Sequence, residues 1–200
     1  MLIFNILSLP EFIGLILGIL LALAVHESAH AITANYLGDP TAKYAGRISL
    51  NPFAHLDLLG TVMLFLVGFG WGKPVPINPN NLKSKWDEIK IAFAGPLSNL
   101  LLAVILALFI NFLPLPDLIK IILFIAMQIN LIFMIFNLLP IPPLDGSSIL
   151  KVLLSEHSYN TLQSLSTPLF LAFLFFLYAT PVMRNFLGNV VSIFTHILIK

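Results

Sequence analysis

His26, Glu27 and His30 form a His-Glu-x-x-His run, Val25-His26-Glu27-Ser28-Ala29-His30-Ala31, inside an otherwise apolar segment from Pro10 to Leu37. On a helix, residues four apart stand one above the other on the same face. Two imidazoles so placed can grip one divalent metal, usually zinc, and a glutamate beside them can take a proton from a water at that metal. The competing reading is a pair of core histidines bonded to neighbouring helices. Ionisable side chains in the middle of an apolar span are costly, however, and the default reading of them is functional.

The composition says what must surround these residues. The chain is 58% hydrophobic and only 10% charged, with a mean hydropathy of +0.99. Soluble domains carry about 25% charged residues, so this is the composition of an integral membrane protein. The net charge of +1 comes without a basic block, so nucleic acid is not an expected partner. There are no cysteines, so disulfides are excluded and any zinc must be held by nitrogen and oxygen. The first apolar run has no basic stretch before it and no small-residue cleavage site, and it continues into the motif; it reads as a retained span rather than a signal peptide. No long polar stretch, repeat or low-complexity tract marks a second unit, so one membrane domain over 1–200 is expected, with a catalytic core of about 11–154 and C-terminal helices over about 158–200.

Glu11 to Leu37 reads as the first helix, with Pro10 in its first turn and Gly38-Asp39-Pro40 ending it. The polar stretch Asp39 to Asp57 contains Tyr44 to Leu50, which could be a short strand broken by Asn51-Pro52. Leu58 to Phe69 is apolar but short of the about 20 residues a crossing needs, and reads as a buried or re-entrant helix. Lys73 to Asn78 is extended by its prolines, and Asn78-Pro79-Asn80-Asn81 is a turn. Spans follow at Trp86 to Leu113, with an expected kink at Gly95-Pro96, and at Asp117 to Leu139. Asn137-Leu138-Leu139-Pro140-Ile141-Pro142-Pro143-Leu144-Asp145-Gly146 must then be unwound, because its prolines cannot continue a helix. Unwound backbone at membrane depth is tolerated only inside protein or beside water. A short helix restarts over Ser147 to Leu154, and Tyr159 to Thr180 is a last span, bent at Pro168. Val182 to Ile199 carries a polar stripe of Asn185, Asn189, Ser192, His196 and Lys200, which fits either the membrane interface or packing on the bundle. The expected fold is thus an all-α polytopic membrane protein. It has about 4–6 transmembrane helices, one short re-entrant helix, and a small β-hairpin or sheet near the active site.

Charge places these elements across the bilayer. Lys43 and Arg47 lie in the first polar stretch, and Lys73, Lys83, Lys85 and Lys90 in or near the second, which makes both stretches cytoplasmic. That requires Leu58 to Phe69 not to cross, and it brings Asp145 to the same side of the membrane as His30.

A catalytic zinc takes three protein ligands and keeps one open position. Beyond the two histidines the candidates are Asp145, His55, Asp57 and, more weakly, His157. Asp145 is the best placed, in an unwound segment on the correct side; its bland alternative is the N-cap of the helix that follows. His55 and Asp57 could bind metal, support the histidines or simply face water.

With these residues in hand the chain resembles the site-2 protease family of zinc intramembrane metalloproteases. His26-Glu27-Ser28-Ala29-His30 is similar to that family's first motif. Asn137, followed eight residues later by the aspartate of Leu144-Asp145-Gly146, is similar to its second. Ala94-Gly95-Pro96-Leu97-Ser98-Asn99 is similar to a further recurring stretch. The resemblance implies one Zn²⁺ per chain held by His26, His30 and Asp145, with Glu27 as the catalytic glutamate and Asn137 as a polar residue near the scissile bond. It also implies a short form without the PDZ or CBS domains of larger members. The expected partners are the lipid bilayer and a single-span membrane protein as substrate. The expected location is a prokaryotic cell membrane, with the active site nearer the cytoplasm. A substrate helix would have to unwind, and the Tyr44–Leu50 and Lys73–Asn78 segments could pair with it as an edge strand. The rival class is an ion or proton transporter using the same intramembrane His, Glu and Asp; no internal repeat pairs the two halves of the chain as in many transporters.

Overall fold

The computed structural model describes residues 8–199. The expectations for the start of the first apolar run and for Lys200 lie outside the described residues.

Helix α1 (Leu9–Tyr36) opens where the Glu11 carboxylate accepts from the Ser8 N–H at 2.7 Å and the Ser8 hydroxyl at 2.8 Å. It ends at Gly38, whose φ of +108° turns the chain in a way that disfavours a side chain. A single helical turn, α2 (Thr41–Tyr44), leads through a loop to α3 (Leu58–Val67), which Asp57 caps by accepting from the Gly60 N–H at 2.8 Å. Leu56 forms an isolated antiparallel bridge with Gly72, and the Lys73 N–H donates to the His55 carbonyl at 2.7 Å. The excursion through α3 therefore closes on the side from which it set out.

Helices α4 (Lys85–Phe112) and α5 (Asp117–Asn137) complete the central trio with α1. On α1 the buried face includes Gly14, Gly18, Ala22, His26, His30 and Ala34, each four residues from the next. On α4 it includes Asp87, Ile91, Gly95, Asn99, Ala103 and Ala107, with the same spacing. Rows of residues four apart are the ridges by which helices interlock, and small side chains on them let backbones approach within lipid, where apolar burial alone supplies no drive. A Cβ on Gly18 would come within 2.9 Å of the Ala126 Cα on α5.

After α5 the chain unwinds through Pro140–Pro143, makes a 3₁₀ turn over Asp145–Ile149 and continues into α6 (Leu150–Leu153). Helices α7 (Glu156–Ser164) and α8 (Ser166–Ala179) meet at a bend of 61°. The break falls at Leu165, not at Pro168 as expected from sequence; Pro168 lies in the first turn of α8, where its missing N–H leaves no helical bond unmade. Phe170 and Phe173 fasten α8 to the bundle through Phe69 and Phe136, with ring centroids 5.6 Å apart for Phe69–Phe170 and for Phe136–Phe173. Helix α9 (Pro181–Leu198) packs on the bundle: Val191 is buried against the core, and the Leu198 carbonyl accepts from Asn111 at 2.7 Å. Asn185, Asn189, Ser192 and His196 of its polar stripe face outward.

Among the described residues three helices, α1, α4 and α5, are long and apolar enough to cross a membrane, or four if the bent α7–α8 pair is one span. The four to six expected from sequence is reached only if the bent pair crosses, because α6 to α8 are broken into short pieces. Only a third of each long span is buried within the protein. The rest, including Leu97, Leu101, Leu108 and Phe112 on α4, needs lipid to cover it, and the protein is an integral membrane protein.

The expected β-hairpin is not formed: among the described residues there is no strand. Tyr44 belongs to α2, and Pro74, Pro76 and Pro79 have no N–H for a ladder. Polar side chains take up the backbone groups of these segments instead. Arg47 donates to the carbonyls of Lys73 and Pro74, and Asp39 accepts from the Asn78 N–H at 2.7 Å.

Candidate metal centre

Helices α1 and α4 run antiparallel at the site, as two bonds show. The His26 Nδ1 meets Asn99 Oδ1 at 2.7 Å, and one turn further along α1 the His30 Nδ1 meets the Ile91 carbonyl at 2.7 Å. Both imidazoles are buried. Between these two contacts lies Gly95. A Cβ there would sit 2.5 Å from His30 Nε2 and 2.7 Å from His26 Cε1, so only glycine lets α4 come this close. The proline that follows, Pro96, gives no N–H to the Ala92 carbonyl, which loosens the helix ladder beside the carbonyl that His30 uses.

Asp145 arrives from the unwound segment. Gly146 makes this possible: a Cβ on it would lie 2.7 Å from the Leu139 carbonyl oxygen, so this turn packs directly on the backbone that leaves α5. An ion pair between Lys151 of α6 and Glu88 of α4 ties the same turn to the helix that faces the histidines. Asp145 Oδ2 then lies 3.0 Å from His26 Nε2 and 3.3 Å from His30 Nε2. The sequence alternative, an N-cap, is not realised, since Leu144 precedes the turn and the Asp145 carboxylate points to the histidines.

These donors fit a metal ion. The Ile91 carbonyl can only accept, so His30 Nδ1 carries the proton and Nε2 holds a lone pair in the neutral ring. The same nitrogen of His26 faces the Asn99 side-chain oxygen, which likewise accepts. Two bare nitrogens and a buried carboxylate oxygen without a hydrogen bond thus converge, their ligand atoms all within 4.8 Å of one another. A cation resolves the repulsion between them, and two nitrogens with one oxygen is a donor set for catalytic zinc.

Glu27 is half-buried on the turn of α1 that carries both histidines. Asn137, at the last residue of α5, donates from its amide to the Phe133 carbonyl at 3.0 Å and stands beside the peptide on which Gly146 packs. The other sequence candidates are elsewhere. His55 is fully buried between the Ser49 carbonyl, 2.6 Å from its Nε2, and Arg47, 3.2 Å from its Nδ1. Asp57 caps α3, and His157 is exposed on α7.

The chain matches peptidase family M50 over residues 14–121 and 116–179. It belongs to peptidase family M50. This is the site-2 protease family, so the protein is a zinc metalloprotease. The M50 relatives it resembles are named accordingly. "Putative zinc metalloprotease YwhC" of Bacillus subtilis is 37% identical over 147 residues, covering 68% of this chain and 67% of the relative. "Putative zinc metalloprotease Rip2" of Mycobacterium tuberculosis is 32% identical over 188 residues, covering 90% and 72%. No solved structure matches the chain. Within the M50 site, the roles of Ile91, Gly95 and Asn99 in holding the imidazoles escaped the sequence reading. Their spacing by four along α4, matching that of the histidines on α1, is the signal that could have found them.

Proposed function

We propose that this protein is an intramembrane protease that hydrolyses peptide bonds within or near the transmembrane segment of single-span membrane proteins. The observation that carries the reading is the position of the His26–His30–Asp145 cluster, whose two histidines are buried in an apolar span with His30 roughly 9 Å from the end of α1. Lys43, Arg47, Lys73 and Lys83 lie beyond that end, which supports a site nearer the cytoplasm. The bacterial relatives support a prokaryotic plasma membrane. One domain spanning the chain carries the activity.

His26, His30 and Asp145 would hold the zinc. A bound zinc ion supplies Lewis acidity, polarising a carbonyl and making a water more acidic. Glu27 takes the proton from that water and later returns it to the leaving amine. Asn137 would donate from its amide to the carbonyl oxygen as that oxygen gains charge. Burial of the imidazoles keeps their geometry fixed. The substrate helix must unwind first, since its own hydrogen bonds hide its carbonyls.

The test is cleavage of a single-span reporter in proteoliposomes, with and without a zinc chelator, alongside ion flux through the same vesicles. Chelator-sensitive cleavage without flux is expected. Flux without cleavage would favour transport.

A further inference from the structure

Asn99 is fully buried and bonded on three sides. Its Nδ2 donates to the Ala22 carbonyl at 2.9 Å and to Asn130 Oδ1 at 3.1 Å, and its Oδ1 stands 2.7 Å from His26 Nδ1. The Ala22 carbonyl can only accept, so the amide cannot be turned round. Asn130 is itself fully buried and pinned by donating to the Ala126 carbonyl at 2.8 Å, so its oxygen also faces Asn99 as an acceptor. This line of hydrogen bonds crosses α5, α4 and α1 and ends on the ring of a metal-site histidine.

The consequence concerns what His26 would do otherwise. Its Nε2 lies 3.0 Å from Asp145 Oδ2, a good distance for an N–H···O bond. A neutral His26 with its proton on Nε2 would satisfy that carboxylate and fill the ligand position with hydrogen. The acceptor at Nδ1 removes that option by drawing the proton to the far side of the ring.

We propose that Asn99 is a positioning residue that holds His26 in the Nδ1–H form, keeping it from closing onto Asp145 and leaving Nε2 open to zinc. This rests on the reading of His26 and Asp145 as zinc ligands. Asn130 serves it in turn by holding the Asn99 amide in its working orientation.

The experiment measures zinc affinity by chelator competition on the full-length protein in detergent. Asn99→Leu removes the acceptor at similar volume and should weaken zinc about 10- to 100-fold. Asn99→Asp restores an acceptor and, with its second oxygen protonated toward the Ala22 carbonyl, should recover part of the loss, while Asn130→Leu, which leaves the Asn99 oxygen in place, should lose less than Asn99→Leu. Wild-type affinity in Asn99→Leu, when His26→Ala has lost zinc, overturns the inference and leaves the metal site standing. Full zinc binding by His26→Ala overturns the metal site itself, and the inference with it. Equal losses in all three asparagine variants mean that Asn99 only packs helices, and also overturn it. Should Asn99→Leu fail to fold, nitrogen NMR of the unaltered zinc-free protein decides. The His26 ring proton is expected on Nδ1; finding it on Nε2 overturns the inference.

Discussion

Asp145 Oδ2 lies 3.0 Å from the Nε2 of His26. The two atoms meet because α5 stops at Asn137 and the prolines after it send the chain back along α4 rather than onward along the axis of α5. A helix continued to Asp145 would carry the carboxylate about 12 Å past the end of α5. The break in the helix is therefore what brings the carboxylate to the two histidines.

Removing that carboxylate should show in metal content. Asp145→Ala is expected to bind zinc far more weakly than the unaltered protein. Chelation should lower the melting temperature of the unaltered protein but leave the variant nearly unchanged, since a ligand that binds only the folded state stabilises it. Metal analysis and melting curves in detergent check both.

Glu27 contributes no ligand atom to the cluster, so its loss should separate chemistry from metal binding. Glu27→Gln is expected to cut reporter cleavage by about 10²- to 10⁴-fold while zinc stoichiometry stays at that of the unaltered protein. Cleavage by this variant at the normal rate would remove Glu27 from its role.

Gly95→Ala offers a test by sign. In an ordinary helix interior the change should stabilise by roughly 0.5–1 kcal/mol. Here the added methyl would fall 2.5 Å from His30 Nε2. The expected result is destabilisation of about 1–3 kcal/mol together with weakened zinc binding. A melting temperature raised by the substitution would mean that α4 does not press on the imidazoles.

Arg47 is buried and holds two loop segments together through the Lys73 and Pro74 carbonyls and His55. Arg47→Leu leaves those acceptors without a donor, at about 1–3 kcal/mol for each that stays buried. Hydrogen exchange should quicken around 47–49 and 73–76. Zinc content should hold, because none of these groups reaches the metal cluster.

Asp39 gives a pH dependence with a defined sign. Burial alone would raise its carboxyl, but hydrogen bonds from Thr41, Asn81 and the Asn78 backbone outweigh this and hold it below the ordinary 3.8. Its folded value is below its unfolded one, so its contribution is complete above about pH 4–5 and fades as pH falls through the lowered value. Asp39→Asn should flatten the acid side of a stability profile taken from pH 6 downward, with little effect at neutral pH beyond the lost hydrogen bonds.

Helical spacing and hydropathy were enough to locate α1, α4 and α5 to within about two residues. Such signals are local and survive without knowledge of neighbours. The β-hairpin was misread for the opposite reason: Tyr44–Leu50 resembles a strand and prolines extend Lys73–Asn78, but pairing depends on which distant groups take their N–H and carbonyl groups. Arg47 and Asp39 take them, and neither connection is visible along the chain.

The metal site divides in the same way. His26, Glu27 and His30 could be read from sequence because one helix places them, and helical geometry is the same everywhere. That Asp145 rather than His55 or Asp57 completes the cluster was decided by tertiary structure, through the close approach allowed at Gly95 and Gly146. So was the grip of Ile91 and Asn99 on the imidazoles. A side chain's type and spacing declare what it can bond, but the proton on a histidine ring is set by whichever group folding brings against its other nitrogen.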